Sequence, residues 1–350
     1  MENQTIQTER RKIKFDPVPH TYVDEYNKPY ISMTTLIGKM KPKFDRNYWL
    51  VYKALEQIPN AQVWPEDMKK GIIGLRLAGQ EIKAYWKEIH KFFHGKLPLS
   101  VQAISKVWEE KKDEACEWGT YRHKYLEDCI DQFYSSSSSS STGKRNVVHV
   151  SDIRNSGFRI RIESEAQLEQ SPLIKTHPSI YQRLLTAIRN GWTIYVEKIL
   201  YSSHYQVAGT IDVVLVKDNL IYLLDWKTNK FPLKFEAGYW KRQWNGDRTK
   251  QLYTGEFVKT DDRMNPPLEH LYSCKGVTYT LQLSGYAALA EPWGFKVQGL
   301  MLCHIAPKID REGNPIMRDG RRVEKDPEFI PVKYIKKDVV KMFNWWKSVS

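Results

Sequence analysis

Two acidic residues and a lysine are spaced so that they could share one task. Ala208-Gly209-Thr210-Ile211-Asp212 leads one β-like run, and Leu223-Leu224-Asp225-Trp226-Lys227 ends the next. Apolar residues 213–216 follow the first carboxylate, residues 221–224 precede the second, and Lys217-Asp218-Asn219 turns between them. This pattern predicts a β-hairpin. Pairing of its strands would set Asp212 beside Asp225. Asp225 and Lys227, two apart on a strand, would leave it on the same face. Two carboxylates and an ammonium at one point are unfavourable unless a divalent cation joins them. The chemistry open to such a group is metal-dependent hydrolysis of a phosphodiester.

The elements that must hold this hairpin can be read outward from it. Residues 192–201 pattern as a preceding strand and 295–306 as a following one. Helices are expected over 178–190, 277–290 and 339–349, the last with Asp338 as its N-cap. Near the start, 20–24 and 29–33 form an expected hairpin turning at 25–28. Ser32, Thr34 and Thr35 can then cap a short helix through Leu36 and Ile37. Asp45 can cap a helix over 48–58, and further helices are expected over 66–93 and 101–134. Residues 308–324 read as a polar hairpin with Glu312-Gly313-Asn314 as its turn. Residues 135–141 are all serine, followed by Thr142-Gly143-Lys144, and cannot support a core. They are expected to form an exposed insertion within one domain.

Composition narrows the partners. The chain has 350 residues, 41% of them hydrophobic, enough for one large domain or two modest ones. A net charge of +13 favours a polyanion, nucleic acid first among them. Twelve Trp and 20 Tyr supply core, and rings among basic residues also suit base stacking. No apolar run reaches the length of a membrane span, and residues 1–14 hold no apolar segment resembling a secretion signal. A reducing, intracellular (cytoplasmic) compartment is expected. Cys116, Cys129, Cys274 and Cys303 are scattered without a C-x-x-C pair, so free thiols are expected rather than a zinc or iron–sulfur site.

A wider set of residues follows a recognisable order. Gly119-Thr120-Tyr121-Arg122-His123 lies on an expected helix with Glu127 one turn later, and Glu197 on the strand before the hairpin. Gly209-x-x-Asp212, Asp225-x-Lys227 and Gln282-x-x-x-Tyr286 complete the series, the last pair sharing a helical face. In this order the chain resembles the RecB-like branch of the PD-(D/E)XK nucleases, over about residues 119–305. That branch includes phage-type and mitochondrial genome-maintenance exonucleases. The N-terminal His20-x-Tyr22 and Ser32-x-Thr34-Thr35 pattern is similar to its phage members, which suggests a phage-encoded protein acting in a host cytoplasm.

The resemblance implies an α/β fold with a restriction-endonuclease-like core, a mixed β-sheet flanked by helices, beside a mainly helical N-terminal region. The expected division is 1–118 for the N-terminal hairpin and helices and 119–350 for the nuclease core, interrupted at 135–144 and 231–271. It implies that Asp212, Asp225, the Trp226 carbonyl and the His123 imidazole hold Mg²⁺ or Mn²⁺. Lys227 would orient the attacking water, and Gln282 and Tyr286 would steady Lys227, the water or the substrate. Glu197 reads equally as a further acid of the site or as a half-exposed strand carboxylate. Ile211 stands where the family pattern has Pro, and the interval from Lys227 to Gln282 is long. Some relatives carry an iron–sulfur cluster. Cys116 lies near one ligand position, but the clustered C-terminal cysteines are absent, and no cluster is expected.

The expected function is therefore a metal-dependent DNA nuclease, an exonuclease or flap-processing enzyme of recombination, repair or replication. It would act on single strands or duplex ends. A structure-specific endonuclease would use the same chemistry. A non-catalytic DNA-binding or assembly protein could keep the same fold. Within 231–271, Tyr239, Trp240, Lys241, Arg242, Trp244 and Arg248 interleave rings with bases. Two readings stand for them: a guide for a single strand, or a surface excursion whose rings pack locally.

Overall fold

The computed structural model describes residues 13–16, 21–56, 97–131, 161–246 and 250–350. Its strands, in chain order, are Lys14–Asp16 (β1), Thr21–Val23 (β2), Pro29–Ser32 (β3), Arg161–Ile162 (β4), Thr193–Ser202 (β5), Val207–Lys217 (β6) and Leu220–Lys227 (β7). Gly238–Trp244 (β8), Gln251–Lys259 (β9), Lys296–His304 (β10), Met317–Arg318 (β11), Arg321–Arg322 (β12) and Glu328–Val332 (β13) follow. The helices among the described residues are Met33–Lys39 (α1), Arg46–Glu56 (α2), Leu97–Asp131 (α3), Glu165–Glu169 (α4), Leu173–Thr176 (α5), Pro178–Arg189 (α6), Lys275–Ala290 (α7) and Lys336–Val349 (α8). The chain divides into two compact units, one of residues 1–42 and 122–350, the other of 43–121.

In the larger unit the apolar runs build one mixed sheet flanked by helices. Its main path is β1-β2-β3-β6-β7-β10-β13, with β5 pairing β6 and β4 pairing β5. The expected hairpin is β6 and β7, antiparallel from Val213↔Leu224 to Lys217↔Leu220. β5 pairs β6 along its whole length, from Thr193↔Val216 to Ser202↔Val207. The opposite edge of β6 is shared. β3 runs parallel to it at Ile31↔Val207 and Ser32↔Ala208, and β7 takes over only at Val213. Residues 209–212 therefore lie in a gap between two ladder neighbours, and Asp212 is the last of them.

Each face of the sheet buries a cluster. One gathers α1, α7 and α8 through Met33, Leu36, Leu283, Tyr286, Met342 and Phe343. The other gathers the end of α3 and α6 over Val213, Leu224 and Trp226. At about 1.5–3 kcal/mol for each large apolar side chain buried, these clusters dominate the unit's stability. Lys198 on β5 is drawn in with them at 5% exposure. Burial lowers its ammonium pKa to about 7. Below pH 7 the lysine is charged in both folded and unfolded chains, and the penalty for burying that charge is complete. As pH rises from about 7 toward 10.5, the folded lysine loses its proton before the unfolded one does, and the penalty fades. Lys198→Met should therefore stabilise by about 2 kcal/mol at pH 6. Urea titrations across pH should show the gain shrinking steadily above pH 7 and vanishing only as pH passes 10.5.

Most expected elements form within a residue or two. Ser32 caps α1 by accepting from Thr35 N, and Asp45 Oδ1 accepts from Tyr48 N at 3.1 Å to start α2. The expected helix over 66–93 and the serine run lie outside the described residues. Two expectations are corrected. Within 308–324 the paired strands β11 and β12 turn at Asp319-Gly320; Glu312-Gly313-Asn314 closes a smaller loop bridged by Ile309↔Pro315. Asp338 is not the N-cap of α8 but sits in its first turn, where its carboxylate meets His270 Nε2 at 2.9 Å. The helix starts instead from Ile335, whose N–H donates to Ser284 Oγ of α7, a tertiary anchor in place of a local cap.

The smaller unit holds α2 and α3 as far as Tyr121. Arg46 donates to Glu109 at 2.7 Å and to Ser105 at 2.9 Å, both exposed contacts of small energetic weight.

Candidate active site

Asp212 occupies the gap on β6, and the gap explains its surroundings. The Trp226 N–H donates to Asp212 Oδ2 at 2.7 Å, so a side chain stands where a ladder carbonyl would. The side-chain alternation of both strands slips here. Val207 and Ile211 face the α7 side, and so do Val214 and Val216, while Val213 and Leu215 face the α6 side. Opposite Asp212, between the pairs Val196↔Val213 and Lys198↔Ile211, Glu197 has a φ of 50°. A left-handed non-glycine residue costs about 1–2 kcal/mol. The slip turns Asp212 out of the apolar register and leaves Glu197 half-buried beside it. Burial first, and the Glu197 charge in lesser part, raise the pKa of Tyr22, whose hydroxyl meets Thr210 Oγ1 at 3.0 Å.

Asp225 and Lys227 leave β7 on one face, as their spacing requires. Asp225 is 2% exposed and its Oδ2 contacts the Lys227 ammonium, yet accepts no well-aligned hydrogen bond. Lys227 Nζ also donates to Gln282 Oε1 at 3.1 Å and lies 4.5 Å from the Tyr279 ring centre. Since an ammonium only donates, the Gln282 amide must present oxygen to it. Its Nε2 is then free to donate to Tyr286 Oη at 3.1 Å. Gly209 makes this possible: a Cβ there would stand 2.5 Å from Tyr286 Cε1, so only glycine lets α7 close on β6. Burial holds the Tyr286 phenol far above its ordinary pKa, so it stays neutral.

His123, on α3, brings Nδ1 to 3.4 Å from Asp212 Oδ1. The charges divide the two acids. Asp225 is raised to about 7 by burial, and the neighbouring Asp212 charge adds to the rise against the pull of Lys227. Burial also pushes Asp212 upward, but His123, Lys227 and the Trp226 N–H outweigh it and hold Asp212 below its usual value. Burial would lower the His123 and Lys227 pKa values; the carboxylates beside them prevail and raise both. Two carboxyls driven apart in this way are a common mark of a reacting site.

Several neighbours had no signal singled out in the sequence. Tyr279 lies three residues before Gln282 on the same helix face and donates to Asn229 Oδ1 at 2.8 Å; its i, i+3, i+7 spacing with Gln282 and Tyr286 was a legible cue. Arg122, next to His123, donates to Glu324 Oε2 and lies 2.6 Å from His177 Nε2, all three largely buried. No local pattern marks that cluster, because its members come from three distant segments. Glu127 is buried and pairs with Lys124 at 3.4 Å.

The basic and aromatic residues of 231–271 form a separate two-stranded ribbon, β8 and β9. Trp240 stacks on Phe231 at 5.7 Å and meets Phe257 edge-on at 5.3 Å. Lys241 pairs with Glu256 at 2.8 Å, and Arg242 lies 4.2 Å from the Tyr253 ring centre. Trp244 is half-buried opposite Gln251. Tyr239 is 57% exposed. Arg248 lies outside the described residues. Trp240 thus packs locally, and Tyr239 is the ring of this set that faces outward.

The donor set suits a hard divalent cation. Two buried carboxylates stand together, one lacking an aligned hydrogen bond, and an imidazole is adjacent. Among the described residues, no three His, Cys, Asp or Glu side chains are already gathered in ligating geometry; the carboxylates close on Lys227 and His123. No helix of the described residues is long and apolar enough to cross a membrane. Compared with known proteins, the sequence matches no family model and no curated protein.

Proposed function

We propose that this chain is a metal-dependent deoxyribonuclease of the RecB-like PD-(D/E)XK type, acting on DNA ends or single strands as an exonuclease or flap-processing enzyme. The observation that carries the reading is the meeting of Asp212, Asp225 and Lys227 at the gap in β6, with Gln282 of α7 and His123 of α3 closing over them. Asp212, Asp225, the Trp226 carbonyl and His123 would hold Mg²⁺ or Mn²⁺. When bound, the cation neutralises phosphate charge and lowers the pKa of its water. Lys227, held by Gln282, orients the attacking water and stabilises charge growing on the phosphoryl oxygens. Tyr286, neutral and buried, fixes Gln282. The Trp226 N–H fixes Asp212. The net charge of +13 supports a polyanionic substrate.

The direct test is end-labelled DNA incubated with Mg²⁺ or Mn²⁺ in linear, circular, single-stranded and double-stranded forms. Cation-dependent loss of linear strands with circles spared is the expected result. Intact DNA in every arm would refute the reading.

A further inference from the structure

Beside the candidate site lies a cavity of about 480 Å³ whose lining is divided by chemistry. Phe231, Leu233, Trp240 and Phe257 give it an apolar wall, Lys41, Lys230 and Lys275 a cationic rim, and the Lys234 ammonium stands between the two, 5.4 Å from the Trp240 ring centre and 5.6 Å from that of Phe257. Its one carboxylate, Glu236, is engaged elsewhere, accepting from Lys259 at 2.7 Å. Lys230 donates to Gly313 O at 2.5 Å. No carboxylate is paired with the ammonium of Lys41, Lys234 or Lys275 among the described residues. Burial first, and the Lys275 charge second, lower the pKa of Lys41.

The placement of Lys275 is locally unfavourable. It is the first residue of α7, where the helix dipole favours an anion, and that first turn holds no acidic residue. An anionic ligand would turn this local cost into a gain.

The cavity adjoins the proposed catalytic groups. Asn229, on its wall, is two residues past Lys227 and holds Tyr279, the ring beneath the Lys227 ammonium. Thr278, also on the wall, precedes Gln282 by four residues, a rise of about 6 Å along α7. The volume suits one nucleotide and is far too small for a duplex.

We infer that this cavity receives one unpaired nucleotide of a DNA strand next to the scissile bond, its phosphate held by Lys41, Lys234 and Lys275 and its base laid against the apolar wall. The inference rests on the nuclease reading for its choice of ligand, but its test does not depend on cleavage. Binding of fluorescein-labelled oligo-dT and of a blunt duplex hairpin is followed by anisotropy in EDTA. The triple variant Lys41→Gln/Lys234→Gln/Lys275→Gln should bind oligo-dT about tenfold or more weakly, with a smaller salt slope, and the hairpin within twofold of the parent.

A second measurement needs no variant. Oligo-dT should protect Lys41, Lys234 and Lys275 of the parental protein from acetylation, read by mass spectrometry, and leave Lys241 unprotected. Unchanged oligo-dT affinity, an equal loss for hairpin, or no protection of these lysines would overturn the inference. Failure of the DNA incubation with normal binding and protection would remove the nuclease reading, and with it the scissile bond, and leave the cavity standing as a site for an unpaired nucleotide.

Discussion

Asp225→Asn and Lys227→Ala should each lower DNA cleavage by about 1000-fold or more, and the two variants should part company in stability. The loss of rate is shared because one removes a proposed cation ligand and the other the group proposed to orient the water. The stabilities differ because the partners left behind differ. Asparagine keeps the shape of Asp225 and removes a carboxylate that burial has already raised to a pKa of about 7. Its melting temperature should equal or exceed the parent's at pH 7. Alanine at 227 leaves Asp225 and Asp212 facing each other without the ammonium, and frees the Gln282 oxygen. That variant should lose about 2 kcal/mol, less than a typical broken buried pair because Asp225 can take up a proton. Rate assays with purified protein and thermal melts would check both. Parental cleavage by either variant would end the catalytic assignment.

Glu324→Ala should cost about 1.5–3 kcal/mol, because it removes the charged hydrogen bond that the Arg122 guanidinium donates at a largely buried position beside His177. Arg122→Met/Glu324→Met should recover most of that loss, since exchanging a buried ion pair for apolar side chains of similar size is close to neutral. Denaturant titration of the three proteins measures it. Arg122 directly precedes His123, so the single variant should also weaken Mn²⁺ binding, read by calorimetry. A Glu324→Ala protein as stable as its parent would show that the cluster anchors nothing.

The sequence made the central hairpin legible because its strands alternate cleanly and a short polar turn separates them. Helices α1 and α2 were legible for a similar reason, since their caps, Ser32 and Asp45, act within a few residues of themselves. What escaped was long-range. Parallel pairing of β3 with β6 and of β10 with β7 leaves no local mark. β13 carries Pro331 in mid-strand, which argues against a strand on propensity alone. The start of α8 was misjudged because Ser284, a distant residue, supplies the bond that a cap would have made. In the site, residue order pointed to Asp212, Asp225, Lys227, Gln282, Tyr286 and His123. The strand slip at Glu197, the reason for Gly209 and the lysine-rimmed cavity depend on contacts that no spacing rule encodes. Trp240 shows the converse: its sequence neighbours left a strand-guiding ring and a locally packed one equally open, and its spatial neighbours, Phe231 and Phe257, decide for packing.

The shared edge of β6 also bears on how the protein comes into being. Ser32 must wait for Ala208, its partner, and Lys227 must wait for His304 before the parallel ladders can close. Closing such wide loops is entropically slow, which places this chain among high-contact-order folds. A nascent chain that stopped before α7 would hold both aspartates on an uncovered hairpin, without Gln282, Tyr286 or the β10 neighbour. The proposed activity should therefore arrive late in synthesis, once the last third of the polypeptide has emerged, and earlier fragments should be inert.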